Sequence, residues 1–477
     1  MKSLRTVILL AFACACTRVA PVGEMGRPAP VFPDYADVTV PVNVAPLNFN
    51  VSDSSATAFA AILRSGSQSV TVKGRGDLIS IPSSDWKSLT ATLSGIDVTV
   101  CALVGGRWLS YEPFRINVSE DRIDPYIAYR LIPPGYETWG EMGIYQRCLE
   151  TYDQSTVIDN SRTGTNCMNC HSFADRSPET FLFHMRASNG GTYLVKDGKV
   201  EKLNMKTVYP RWSPSGEFVA FSVNDIAQFF HSTDPNVIEV YDNESDVVVY
   251  DVVNHSLLSS PLTSDPGRFE TFPAFSPDGR TLYFCSSPAV QMPQDYLRAQ
   301  YSIMSVAFNP EDRSFGEELH TVYDAAGVSS ASCPRLSPDG RFLLFTRLTY
   351  GQFPIWHKEA DLYLIDLQSY DRGARPLAEF NSGDAESYHG WSSSGRWVVF
   401  SSRRDDGLYT KPDIGHIDAD GEASKPFLLP QRNPREFYDN LMFSFNLPDF
   451  ITGKVEFPSK ELVRCATEEK GTDVSKK

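Results

Sequence analysis

The feature that most restricts this chain is an internal repeat. An eight-residue pattern occurs as Tyr209-Pro210-Arg211-Trp212-Ser213-Pro214-Ser215-Gly216 and as Phe272-Pro273-Ala274-Phe275-Ser276-Pro277-Asp278-Gly279. It returns as Cys333-Pro334-Arg335-Leu336-Ser337-Pro338-Asp339-Gly340 and as Tyr388-His389-Gly390-Trp391-Ser392-Ser393-Ser394-Gly395. Each copy is followed by a β run ending near Phe: Val219-Ala220-Phe221, Leu282-Tyr283-Phe284, Leu343-Leu344-Phe345 and Val398-Val399-Phe400. Ser-Pro-Asp-Gly is hairpin chemistry, because Pro fixes φ, Asp bonds the local backbone and Gly accepts φ > 0. From Trp212 to Phe275 is 63 residues, to Leu336 another 61 and to Trp391 another 55. Each interval holds one four-stranded sheet and a loop, which predicts an all-β chain with a β-propeller.

The four turns resemble those of the TolB-like family of propeller repeats, related to WD-type propellers, over about residues 166–430. The departures are Ser215 and Ser394 in place of Asp, and Ser393 in place of Pro. A fifth, degenerate copy lies upstream, at Cys170-His171-Ser172-Phe173-Ala174-Asp175 followed by Phe181-Leu182-Phe183, with one extra residue in the turn. Thr192–Lys196 and Val200–Leu203 complete that blade. Five blades are therefore visible within 166–435. The resemblance implies six, and residues 119–165 with the C-terminal stretch 436–457 are the material for another blade or a closing strand.

Cys167-Met168-Asn169-Cys170-His171 is C-x-x-C-H, the attachment signature of c-type haem. Two thiols at this spacing reach the two vinyl groups of one covalent haem, and His171 is the expected proximal iron ligand. A structural zinc site lacks a second ligand pair, and a thioredoxin-like dithiol lacks its βαβ context. His171 occupies the repeat position held by Pro210, Pro273, Pro334 and His389. Since that position lies near a mouth of the channel, His389 is the candidate distal ligand, with Met142, Met185 and His184 as rivals. Met168, inside the motif, is directed by its loop. Tyr209 and Tyr388, in the adjacent repeat position, are expected to line the haem or to pack between blades.

The N-terminus reads as an address. Lys2 and Arg5 precede the apolar run Val7–Ala13, too short to span a bilayer, which enters Cys14-Ala15-Cys16. This resembles a bacterial lipoprotein signal over residues 1–16, with Cys16 (alternatively Cys14) as the lipidated residue. Pro- and Gly-rich residues 17–33 are expected as a tether. Alternating runs such as Ser69–Val72 and Asp97–Val100 predict a small, immunoglobulin-like β-sandwich over 34–118, with Trp86 and Trp108 in its core. Residues 119–165 read as a connector, with one or two helical turns at 139–150, and 436–477 as a closing segment with a polar tail. The cysteines at 101, 148, 285, 333 and 465 read as buried small hydrophobes.

Lys and Arg number 44 against 59 Asp and Glu, giving a net charge of −15. That balance excludes a nucleic-acid partner, which would need a basic face. The insertion at 224–246, with His231 and several acids, reads as a solvated loop or a partner contact. No catalytic set such as Ser-His-Asp, H-E-x-x-H or a phosphate loop is present, so no catalytic residue is expected. The expectation is a protein of the bacterial cell envelope, periplasmic or on the outer-membrane surface. It would touch the membrane through its N-terminal lipid only and carry electrons to a redox or envelope protein partner on one haem c. The alternative is a TolB-like interaction scaffold or a haem sensor.

Overall fold

The computed structural model describes residues 19–134 and 140–476. Its repeated turns show why the pattern recurs. Ser276 Oγ donates to Asp278 Oδ1 (2.5 Å) and accepts from the Thr281 N–H (2.9 Å), while Gly279 sits at φ +70°. The turn at 337–342 repeats these bonds with Ser337, Asp339 and Phe342. Where Ser replaces Asp, the hydroxyls of Ser215 and Ser394 take over, 3.0 and 2.9 Å from Ser213 and Ser392. The missing proline also has a structural reason. Ser393 gives its N–H to Asp124 Oδ2 (2.7 Å) and its hydroxyl to Oδ1 (2.5 Å), and proline has no N–H to give. Neighbouring turns interlock: a Cβ on Gly395 would stand 3.2 Å from Pro338 of the preceding turn.

Six four-stranded blades form the ring. The second to sixth blades begin with the inner strands Met168–Phe173, Val208–Trp212, Arg268–Phe275, Ser330–Leu336 and Glu386–Trp391. The first blade is built from Tyr126–Ile132, Gly143–Cys148 and Gln154–Asp159, with Ser444–Ile451 as its inner strand. That strand runs antiparallel to Tyr126–Ile132 and lies between the inner strands of the second and sixth blades, so the two ends of the propeller close one ring. Residues 119–165 are thus more than a connector. Among the described residues 140–150 the expected helical turns do not form. Gly143–Cys148 is paired on both sides, which commits its backbone donors and acceptors to a sheet. The degenerate copy has the extra turn residue, Ala174 bonding Thr180 where Ser213 bonds Phe218.

The tail expected to be merely polar is packed. Helix Ser459–Glu468 buries Leu462, Cys465 and Ala466 in a cluster with Tyr193, and Ser475–Lys476 adds a parallel strand to the third blade. At the other end, a seven-stranded sheet faces the three-stranded sheet Val31–Phe32, Phe49–Val51 and Leu78–Ile79. Together they form the sandwich. Residues 17–33, expected as a tether, supply two of its strands: Glu24–Pro28 pairs with Arg107–Glu112, and Val31–Phe32 with Phe49–Val51. Trp86 is fully buried with its Nε1–H donated to Val44 O, whereas Trp108 is only partly buried. The sandwich core is continuous with Trp397, Phe427 and Phe445 of the propeller. Among the described residues no helix is long and apolar enough to cross a membrane, and all seven cysteines are unpaired. The lipid-anchor positions Cys14 and Cys16 lie outside the described residues.

Candidate functional site

Every inner strand carries the same defect in its ladder. The register shifts at residues 170–171, 209–210, 272–273, 333–334, 388–389 and 447–448. The first residue of each pair lies at positive φ: Cys170 (50°), Tyr209 (52°), Phe272 (50°), Cys333 (55°), Tyr388 (44°) and Leu447 (51°). The second is Pro in four copies, including Pro448, because a bulged residue owes no ladder bond and can lack an N–H. His171 and His389 are the two exceptions.

The bulges plug the channel. Their side chains leave a cavity of only about 20 Å³ among Cys170, His171, Tyr209, Phe272, Cys333 and Tyr388, room for about one water. Tyr209 and Phe272 stack there with centroids 3.7 Å apart. Behind the plug lies a rear pocket of about 410 Å³, lined by the large residues of the repeat, Phe173, Trp212, Phe275, Leu336 and Trp391, and by Phe450. In front of it, where the inner strands begin, lies a pocket of about 210 Å³. Cys167 and Cys170 both line this front pocket. It shares Cys170, Tyr209, Tyr388 and Leu447 with the plug cavity that His171 lines.

The motif is held from several sides. Arg130 donates to Met168 O (3.0 Å) and to Asn169 Oδ1, Asn169 Nδ2 donates to Cys167 Sγ (3.0 Å), and the Met168 N–H points to Met142 Sδ (3.2 Å). His171 is 2% exposed, and neither ring nitrogen has a partner at hydrogen-bonding geometry. Burial pulls its pKa down to about 4, aided by Arg130 and Arg211 and opposed by Asp449 and the Leu447 backbone. The imidazole is therefore neutral with a free lone pair, the state in which histidine binds a metal.

Tyr209 and Tyr388 line the front pocket and the plug cavity. His389 does not. Its Nε2–H donates to the Leu344 carbonyl (3.2 Å), it lines neither the plug cavity nor the front pocket, and the first blade's inner strand separates it from His171. The bis-histidine pairing with His171 is therefore corrected: a Pro-to-His change at a bulge turns this ring toward the neighbouring blade. Met142 and Met185 lie in the apolar cluster around Cys167. His184 Nδ1 sits 3.3 Å from Thr192 Oγ1, and its pKa is lowered to about 4 by burial.

Residues that the repeat pattern did not single out complete the front pocket. Arg130, Arg186 and Arg403 line it, with Trp356 and residues of the long hairpin Phe218–Phe230/Ile238–Asp251. That hairpin contains the insertion at 224–246 and roofs the pocket. Arg403 sits 3.3 Å above the Trp356 ring, and burial lowers its pKa to about 9.

The fold and site together define a six-bladed propeller with a cysteine-pair motif at its plugged channel. No protein-family model and no curated protein sequence matches the chain. Among solved structures, hydrazine synthase of Kuenenia stuttgartiensis is 11% identical with a TM-score of 0.35, over 58% of this chain and 70% of that one. A puromycin-hydrolyzing peptidase of Mycobacterium tuberculosis is 13% identical, TM-score 0.36, over 87% and 57%. Prolyl oligopeptidase B of Galerina marginata, in complex with a 35mer substrate, is 12% identical, TM-score 0.37, over 63% and 44%. The chain thus spans about half the length of those two peptidases, and likeness at this level carries no activity to it.

Proposed function

We propose that the chain is an exported, lipid-anchored, TolB-like propeller that carries one covalent c-type haem and passes electrons to a protein partner in the cell envelope. The observation that carries the reading is the adjacency of three groups. Two thiols line the front pocket, and the buried imidazole that follows them in sequence lines the plug cavity sharing Cys170 with it, with no side-chain partner at either ring nitrogen. Cys167 and Cys170 would hold the group, and His171 would supply the proximal nitrogen. A haem bound there supplies a one-electron iron couple. The protein's own residues supply the rest. Arg130 bonds the Met168 carbonyl and the Asn169 side chain between the thiols, the hairpin covers one side of the pocket, and Tyr209 and Tyr388 form the wall beside the plug. Spectroelectrochemical titration of protein made with haem-maturation machinery tests the reading. A single reversible one-electron wave supports it, and irreversible behaviour or rapid carbon monoxide binding favours sensing or catalysis instead.

A further inference from the structure

The residue that follows each bulge lines the rear pocket. From the first to the sixth blade these are Asp449, Ser172, Arg211, Ala274, Arg335 and Gly390, one ring of equivalent positions. The ring is chemically lopsided. Arg211 is answered: its Nη1 lies 3.3 Å from Asp449 Oδ2 and 3.5 Å from Ser172 Oγ. Gly390 makes room for that carboxylate, since a Cβ there would come within 2.6 Å of Asp449 Oδ1. Arg176, which also lines the pocket, is paired with Asp175. Arg335 has no such partner among the described residues. Its Nε is donated to the His389 carbonyl (3.3 Å), and both terminal nitrogens are left without an acceptor there. Three arginines and two aspartates line the pocket, so the surplus charge is one guanidinium.

Arg335 also has space beside it. Its ring neighbours are Ala274 and Gly390, which carry nothing larger than a methyl group. The pocket holds about 410 Å³, a size typical of small-molecule sites. Its walls near Arg335 are the apolar faces of Phe275, Leu336 and Trp391. The indoles of Trp391 and Trp212 give their Nε1–H to the Arg335 and Ser172 carbonyls (3.3 and 3.1 Å), so neither has a donor left for a ligand. One uncommitted fork of donors is thus set among carbon surfaces. A guanidinium matches a carboxylate through two parallel charge-assisted hydrogen bonds. A monoanion balances the single surplus charge, whereas a dianion would be left facing Asp449. We propose that the rear pocket binds a small monocarboxylate with an apolar, ring-containing body, its carboxylate forked on Arg335 and its body against Phe275, Leu336 and Trp391. The site lies on the far side of the plug from the thiol motif and is independent of the haem reading.

Calorimetric titration of the full chain with 3-phenylpropionate and with 3-phenylpropionamide tests the site. The two probes share a body and differ in charge. The acid is expected to bind at least about tenfold more tightly than the amide, the scale of one charge-assisted contact. Arg335→Gln is expected to bring the acid down to the level of the amide while leaving the amide in place, which also reports that the pocket is folded. Ala274→Leu fills the space beside Arg335 and is expected to abolish binding of both probes with the thermal midpoint retained. Should Arg335→Gln not fold, the wild-type comparison and Ala274→Leu still decide. Equal affinities for acid and amide, no acid binding up to about 10 mM, a preference for the acid that survives Arg335→Gln, or binding unmoved by Ala274→Leu would overturn the site.

Discussion

Replacing His357 by Gln probes how the roof of the front pocket is held. The hairpin residues Ile226, Gln228, Ile238 and Val240 line that pocket. Between them lies Glu239, 4% exposed, with Oε2 3.2 Å from His357 Nε2 and Oε1 accepting from the Tyr350 hydroxyl (2.5 Å). His357 Nδ1 faces Glu359 (3.3 Å), and His231 also faces Glu239 (3.7 Å). A ring that serves two carboxylates with both nitrogens must be an imidazolium. Burial pulls its pKa down, yet Glu239 and Glu359 together raise it from 6.5 to about 9. A raised histidine pKa gives stability that is complete below 6.5 and is lost as the pH climbs through 9. At 1.36 kcal/mol per unit the contribution is up to about 3.4 kcal/mol, or about three-hundredfold in a local opening constant. Hydrogen exchange of peptides covering 224–242, corrected for the intrinsic rate, reads this opening directly. Protection is expected to fall as the pH passes from about 7 to about 10, and His357→Gln is expected to be poorly protected throughout and nearly independent of pH. Wild-type protection that stays flat over that range would refute the clamp.

Ser393→Pro restores the repeat consensus and is nonetheless expected to destabilise by about 3 kcal/mol, by stripping two hydrogen bonds from buried Asp124; Ser393→Ala should lose about half, read from urea midpoints. His389→Ala is expected to leave the haem spectrum unchanged and to cost about 1 kcal/mol for its bond to Leu344; loss of low-spin bands would return His389 to the iron. Burial raises Asp242 from 3.8 to about 7, against Asn224 and Lys206, so its folded form favours the proton and wild-type stability declines as pH rises through that interval. Asp242→Asn keeps the contact to Asn224 and is expected to remove that decline, so its advantage in thermal melting should be larger at pH 8 than at pH 5, and an equal difference at both would contradict the assignment.

The propeller was legible because its turns are chemistry that repeats. Ser-Pro-Asp-Gly carries its own hydrogen bonds, and the copies with Ser for Asp keep them through hydroxyls. The closing blade was expected only as the stretches 119–165 and 436–457, because Phe445–Phe450 lacks the Ser-Pro-Asp-Gly turn that would have placed its inner strand. Ser444–Ile451 is a closing strand whose partner, Tyr126–Ile132, stands more than 300 residues earlier. Its Leu447-Pro448 pair, however, matches the bulge in the other copies and was a usable signal. Residues 17–33 read as a tether because they are rich in Pro and Gly, yet the pairing of 24–28 with 107–112 and of 31–32 with 49–51 overrides composition. The haem motif was visible as a contiguous pentad. The arginine lining was not, because Arg130, Arg186 and Arg403 come from three blades and meet only when the ring closes. The direction of His389 was hidden for the same kind of reason, since repeat alignment fixes a backbone position and packing between blades decides where the ring turns.

Intact mass measured together with the visible spectrum, on protein exported from cells with competent haem maturation, bears most directly on the central claim. One porphyrin increment is expected, with a reduced α band at shorter wavelength than that of a haem with free vinyl groups, both abolished by Cys167→Ser with Cys170→Ser. Colourless protein at the mass of the bare polypeptide would contradict it.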